Sequence, residues 1–249
     1  MFTREIICDI AAVARTFGIE TEALLAVADV ESGGHAYARV DGRNEPLIRF
    51  EGHYFDRRLS AANQAKARKL GLSAPAAGAV ANPRSQEARW RLLERAVAIE
   101  RKAAYESVSW GLGQVMGAHW AWLGYADVDA LVAEARSGVG GQVRLMARYI
   151  GKAGLAPSLR DRDWAAFARG YNGPNYWQTG YHTKIAAAYQ RYRNTVPPQA
   201  VAPATRPAGD VQNAVRSPSP SVALPGRSPE PQVALAGLWS GLKRLFARS

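Results

Sequence analysis

The sequence predicts a mainly α-helical domain with a small extended lobe, followed by a proline-rich linker and a terminal amphipathic helix. Apolar residues recur at helical spacing in five segments before residue 194, and neither an internal repeat nor a series of alternating strands interrupts them. The composition then changes abruptly. These observations divide the 249 residues into a domain over 1–194, a linker over 195–232 and a helix over 233–249.

The first helix takes Thr21 as its N-cap and runs to Glu31, where Gly33 and Gly34 stop it. The second is capped by Ser85 and places Trp90, Leu93, Val97 and Ala104 on one face. A third spans Val139 to Ile150, with Val139, Val143, Met146 and Ile150 aligned. A fourth begins near Asp161 and turns Trp164, Phe167, Ala168 and Tyr171 inward; a fifth starts near Tyr181 and carries Ile185, Ala188 and Tyr189. Between the first two, Pro46 to Phe55 mixes aromatic and polar residues and is expected to form the hairpin or extended lobe.

The linker holds 9 of the 14 prolines among Ala, Ser and Gly, a composition that cannot bury a core. Beyond it, Leu235, Leu238, Trp239 and Leu242 share one helical face, and Lys243, Arg244 and Arg248 make that segment's end positive. A pattern of this kind fits adsorption at an anionic membrane or lipopolysaccharide. Docking on the preceding domain or on another subunit is the competing reading.

Lys and Arg number 32 against 21 Asp and Glu, a formal charge of +11, so an anionic partner is expected. No recognition-helix or zinc-finger pattern accompanies the charge, and the aromatic residues fall on core faces, which argues against nucleic acid. The single cysteine, Cys8, excludes an intramolecular disulfide, and no Cys/His spacing suggests a metal. Glu5 and Asp9 interrupt the N-terminal apolar residues, so synthesis in the cytoplasm without a signal peptide is expected.

Chemistry centres on Glu31. Counting back by seven, four and three reaches Leu24, Val27 and Ala28, so a carboxyl stands on the apolar stripe of its own helix. Burial and the negative end of the helix dipole both disfavour its charged form, which is the condition a general acid needs near neutral pH. The competing reading turns Glu31 out to solvent at the helix end. Two further segments bear on the choice. Ser109-Trp110-Gly111-Leu112-Gly113-Gln114 packs glycines around one polar side chain that can hydrogen-bond a sugar, and Gly170-Tyr171-Asn172-Gly173 brings an inward phenol to a helix end.

A Glu31-Ser32 pair at a helix end, then Gly111-Leu112-Gly113-Gln114-Val115-Met116, then Tyr171-Asn172-Gly173 resembles the three signature motifs of soluble lytic transglycosylases and goose-type lysozymes. The longer blocks Val30–Gly34, Asp41–Arg43, Phe50–Phe55, Ser109–Gly117 and Asp163–Pro174 are similar to those of the N-acetylmuramidase family of phage endolysins, over about residues 10–193. Arg49 and Gly113 depart from that pattern, where an apolar and a bulkier residue are usual.

The resemblance implies a lysozyme-like fold and cleavage of the β-1,4 bond between N-acetylmuramic acid and N-acetylglucosamine in bacterial peptidoglycan. It makes Glu31 the catalytic acid and Tyr171 the residue that orients it. Gln114, Asn172, Ser32 and Trp110 become substrate-binding positions. A second carboxylate is required if water is to be activated separately, and Glu51 and Asp41 are the candidates. For Glu51, an ion pair with a nearby arginine competes with that role. Without a second carboxylate the sugar's own 6-hydroxyl closes on the anomeric carbon, which is lytic transglycosylase chemistry. A non-catalytic wall-binding or virion structural protein is the reading from another class. No cofactor is needed for proton transfer of this kind. A monomer is expected, reaching the wall after holin-type release or lysis.

Overall fold

The structure, a computed structural model, describes residues 1–195. Apart from Thr195, the linker and terminal helix lie outside the described residues. Helices dominate, with two small sheets forming the lobe.

Helix α1 (Arg4–Phe17) starts where the Thr3 side chain accepts from the Ile6 N–H and ends on Gly18 at φ 62°. Helix α2 (Thr21–Ser32) begins one residue earlier than expected: Glu20 holds the cap position with no side-chain hydrogen bond, and Thr21 is itself buried. Every residue of α2 from Ala23 to Asp29 is buried, so α2 is a central helix, apolar on nearly all sides. It lies between α1 and the last helix, α11 (Tyr181–Thr195). Its C-terminus closes on Gly33 in the left-handed conformation, φ 63°.

The extended lobe is built differently from the local hairpin expected over 46–55. Strands β1 (Ala38–Val40) and β2 (Arg43–Glu45) form one hairpin, closed by Asp41 and Gly42, both at positive φ. Two successive positive φ values are what a tight two-residue turn between twisted strands demands, and Asp-Gly supplies them. Strand β3 (Ile48–Phe50) pairs instead with β4 (Val108–Trp110), which pairs with β5 (Val115–Met116), all antiparallel. From Gly52 the chain is already helical in α3 (Gly52–Arg58), followed by α4 (Ala61–Lys69).

Ser85 caps α5 (Gln86–Val97) as its side chain accepts from the Ala88 N–H. The single helix expected to reach Ala104 is broken: the Glu100 carboxylate accepts from the N–H groups of Lys102 and Ala103 and starts α6 (Arg101–Glu106). The break lets α6 fold back onto α5. Helices α7 (Val128–Arg136), α8 (Val139–Lys152), α9 (Ala156–Arg160) and α10 (Trp164–Asn172) complete the domain. Val139, Val143, Met146 and Ile150 are all buried along α8, as their spacing predicts. Asp163 caps α10, two residues beyond the expected start; Phe167, Ala168 and Tyr171 face inward while Trp164 is half-buried against Tyr189.

The approach of α8 to α7 depends on Gly141, where an added Cβ would lie 2.0 Å from the Glu134 carbonyl oxygen and 2.2 Å from Ser137 Oγ. Helix propensity alone favours alanine over glycine by about 1 kcal/mol, but overpacking against a backbone carbonyl opposes it with about 1–3 kcal/mol. Gly141→Ala is therefore expected to lower Tm in thermal unfolding; an unchanged or higher Tm would show that α8 slides freely on α7.

Candidate active site

Glu31 sits in the last turn of α2, above Leu24, Val27 and Ala28, each fully buried. The residue keeps partial access to solvent, yet protein crowds the carboxyl closely enough that burial pushes its pKa from 4.5 up to about 7. One interaction works the other way: the Tyr181 hydroxyl donates to Glu31 Oε1 and favours the charged form. Burial outweighs it.

Three phenols surround the acid. Tyr181 touches it, and Tyr171 and Tyr149 lie near enough for its charge to raise their own pKa values, after burial as the larger cause. All three remain neutral wherever the acid titrates, so they act as donors and packing surfaces. Tyr149 and Tyr171 meet edge to face at 5.3 Å, and Phe167 stacks on Tyr171 at 5.2 Å.

The hydrogen bond to the acid expected of Tyr171 is made by a different tyrosine. Tyr171 donates its proton to the Gly113 carbonyl at 2.7 Å, and so clamps the β4–β5 loop. Tyr181, at the start of α11, makes the bond to Glu31, and the sequence analysis did not single it out for that. A tyrosine opening a helix beside the Tyr-Asn-Gly block was the available signal.

The loop Gly111–Gln114 is held from several sides. Gln114, itself at φ 47°, donates from Nε2 to the Gly111 carbonyl at 2.8 Å and the Leu47 carbonyl at 3.4 Å. Its Oε1 accepts nothing from the described residues. Gln142 Oε1 accepts from the Leu112 N–H at 3.0 Å. The small residue at 113 has a local cause: a Cβ there would lie 2.6 Å from Cβ and Cγ of Met146 on α8.

Trp110 needs correcting. Its side chain is fully buried, its Nε1 donates to the Tyr105 carbonyl at 3.1 Å, and Trp90 and Tyr105 pack edge-on against it, so it is core and cannot touch a substrate. Ser32 is buried and donates to the Ala28 carbonyl at 2.7 Å. Asn172, at the end of α10, is 5% exposed, and its Nδ2 makes no hydrogen bond with the described residues.

Of the two candidate second carboxylates, one is paired and the other stands exposed. Glu51 is buried and bound by Arg49 Nε at 2.7 Å, the ion pair weighed against its catalytic role, with His53 Nδ1 3.6 Å from its other oxygen. Arg49 on β3, the other departure from the family pattern, therefore has a structural partner. Asp41 stands exposed at the β1–β2 turn. An aromatic group that the sequence reading passed over packs on Tyr149: Trp122, 44% exposed, meets Tyr149 edge-on at 5.7 Å, and His119 packs against both rings at 5.6 Å.

The model of the N-acetylmuramidase family matches residues 20–193, most of the chain and nearly all of the described fold. The chain belongs to the N-acetylmuramidase family. A crystal structure of the Burkholderia AP3 phage endolysin is 32% identical, with a TM-score of 0.65 over 76% of this chain and 71% of that one. No curated protein matches the sequence. Membership makes this muramidase a glycoside hydrolase that acts on peptidoglycan.

The phenol bond to the acid is open to direct measurement. Removing the Tyr181 hydroxyl deletes the influence that lowers the pKa of Glu31, so Tyr181→Phe should move the carboxyl titration above about 7. Carbon-13 NMR of the labelled side chain reads that midpoint; a downward shift would mean that the hydroxyl favours the neutral acid.

Proposed function

We propose that Glu31 is the general acid with which this endolysin-type hydrolase cleaves the β-1,4 bond between N-acetylmuramic acid and N-acetylglucosamine. The observation that carries the reading is a carboxyl with a pKa of about 7 at the end of a buried helix, ringed by neutral phenols. Near neutral pH about half of such groups hold a proton, so one residue is competent to give and to take it.

In the proposed reaction the Glu31 proton passes to the glycosidic oxygen as its bond to the anomeric carbon breaks. Unprotonated, that oxygen is a poor leaving group, and the sugar is left as an oxocarbenium-like species. Water then adds to the anomeric carbon and its proton returns to the Glu31 carboxylate. Gln114 Oε1 is the acceptor proposed for a substrate hydroxyl or amide, Asn172 Nδ2 a donor, and Ser32 borders the acid. Closure by the sugar's 6-hydroxyl in place of water is the second reading. It is favoured by one observation: of the two candidate second carboxylates, Glu51 is held by Arg49 and Asp41 stands exposed at the β1–β2 turn.

Glu31→Gln should cut the rate on purified murein about 10²–10⁴-fold, the usual share of a general acid. A folded pKa raised above the unfolded value contributes stability below about 4.5, and that contribution is lost as pH rises through about 7. The same variant should therefore have a Tm at or above wild type at pH 8. Wild-type lysis by Glu31→Gln would remove the residue from the mechanism. Mass analysis of the products should show reducing ends; 1,6-anhydromuramoyl ends would replace water with the 6-hydroxyl.

The rest of the reading concerns delivery. The enzyme acts as a monomer, reaches the wall through a holin-type lesion or on lysis, and adsorbs to anionic lipid or lipopolysaccharide through residues 233–249. Their apolar residues recur at one-face helical spacing and their basic residues gather toward the end, which supports this. Replacing Lys243, Arg244 and Arg248 together by Ala should reduce leakage from phosphatidylglycerol vesicles while murein digestion continues; equal leakage by both proteins would end the membrane role.

A further inference from the structure

A cavity of about 570 Å³ opens between the β1–β2 hairpin and α5. Neither Glu31 nor any of the phenols around it lines this space. Its walls are apolar, from Trp90, Leu93 and Val97 on α5 and Tyr105 on α6. Trp90 and Tyr105 back directly onto Trp110, at 5.9 and 5.6 Å between rings, so the cavity flanks the strand that leads into the Gly111–Gln114 loop.

Charged groups rim the apolar walls and fall into two sets. Glu45 and Arg136 neutralise each other: Arg136 Nε donates to Glu45 Oε2 at 2.8 Å, a second guanidinium nitrogen reaches Oε1, and the guanidinium lies 5.2 Å from the Trp90 ring centroid. Asp41, Arg43 and Glu94 are different. All three are exposed at the mouth, and none has a side-chain partner among the described residues. Arg43 comes from β2, Asp41 from the turn before it, and Glu94 from α5, so a cation and two carboxylates border one opening.

Such a mouth discriminates by charge. A purely anionic ligand meets Asp41 and Glu94, and a purely cationic one meets Arg43. A group that carries ammonium and carboxylate on the same carbon satisfies both, because a guanidinium binds a carboxylate in two-point fashion while the acids accept from the ammonium. The Trp90, Leu93 and Val97 surface suits a short methylene stalk behind the charged end. Peptidoglycan offers such a group wherever its peptide stems hold a diamino acid with a free zwitterionic end.

We propose that the cavity between the β1–β2 hairpin and α5 is a stem-peptide site that binds the zwitterionic end of a diamino acid. The proposal rests on the peptidoglycan reading above and deepens it. The site holds the wall polymer at the flank of the domain, and so acts on capture of the substrate rather than on the bond-breaking step. Asp41 is placed here as an ammonium acceptor, together with Glu94.

The test titrates the full chain calorimetrically with the tripeptide L-Ala-γ-D-Glu-meso-diaminopimelate, and with the analogue that ends in L-Lys and lacks the distal carboxylate. The first should bind, and the lysine form should bind at least about tenfold more weakly. Arg43→Ala and Glu94→Gln, at exposed side chains without partners, should keep the wild-type Tm and each weaken the diaminopimelate tripeptide by a similar factor. On intact murein both variants should raise KM and leave kcat unchanged; on glycan strands stripped of peptide they should match wild type. Absence of tripeptide binding by the wild type, equal binding of the two tripeptides, or variants that bind as wild type does would overturn the site. Failure of the wild type to cut stripped glycan would strike the muramidase assignment instead, and the titration would still decide the cavity.

Discussion

A carboxyl group that ends a helix buried on nearly every side has few neighbours able to solvate it, and the domain is arranged around that constraint. Glu31 follows the seven successive buried residues Ala23 to Asp29, with half-buried Val30 between, so its side chain emerges where the core gives way to partial solvent access. Withdrawal from water raises its proton affinity; one phenolic hydrogen bond restrains the rise. The balance places the group where proton donation and return are both accessible near neutrality. Ion pairing would have abolished that balance, and it is what happens at Glu51, where Arg49 holds a second buried carboxylate.

The loop that Tyr171 clamps obeys a related constraint. Gly113 lies against Met146, Gln142 grips the Leu112 amide, and Tyr171 takes the Gly113 carbonyl, so α8 and α10 jointly position the backbone that carries Gln114. Gln114 retains a positive φ under these restraints, a conformation that a side chain other than glycine adopts only when its surroundings impose it. The loop is thus rigid through its neighbours rather than through its own sequence.

What the residues disclosed in advance followed from periodicity. The α8 stripe and the stripe beneath Glu31 are local patterns, and both elements formed as read. The break before α6 was hidden because Glu100, an uncommon capping residue, supplies the start. Trp110 misled for a different reason: all three residues of β4 are buried, so alternation could not separate a cleft-facing side chain from a core one. The pairing of β3 with β4 and the contact between Tyr181 and Glu31 span long stretches of chain, and spacing within a segment carries no information about either. The motif resemblance located the site's neighbourhood, but the bond expected from Tyr171 comes from Tyr181, beyond the last block, since spacing within a segment does not tell which phenol reaches the acid.

The bond from Tyr181 to Glu31 joins residues 150 positions apart. During synthesis, α2 leaves the ribosome long before its covering helix exists, and until α11 docks the acid lacks both the tyrosine and the surface that dries it. The nascent polypeptide consequently carries an ordinary hydrated glutamate, and its raised proton affinity comes into being only when the last helix of the domain closes over the second.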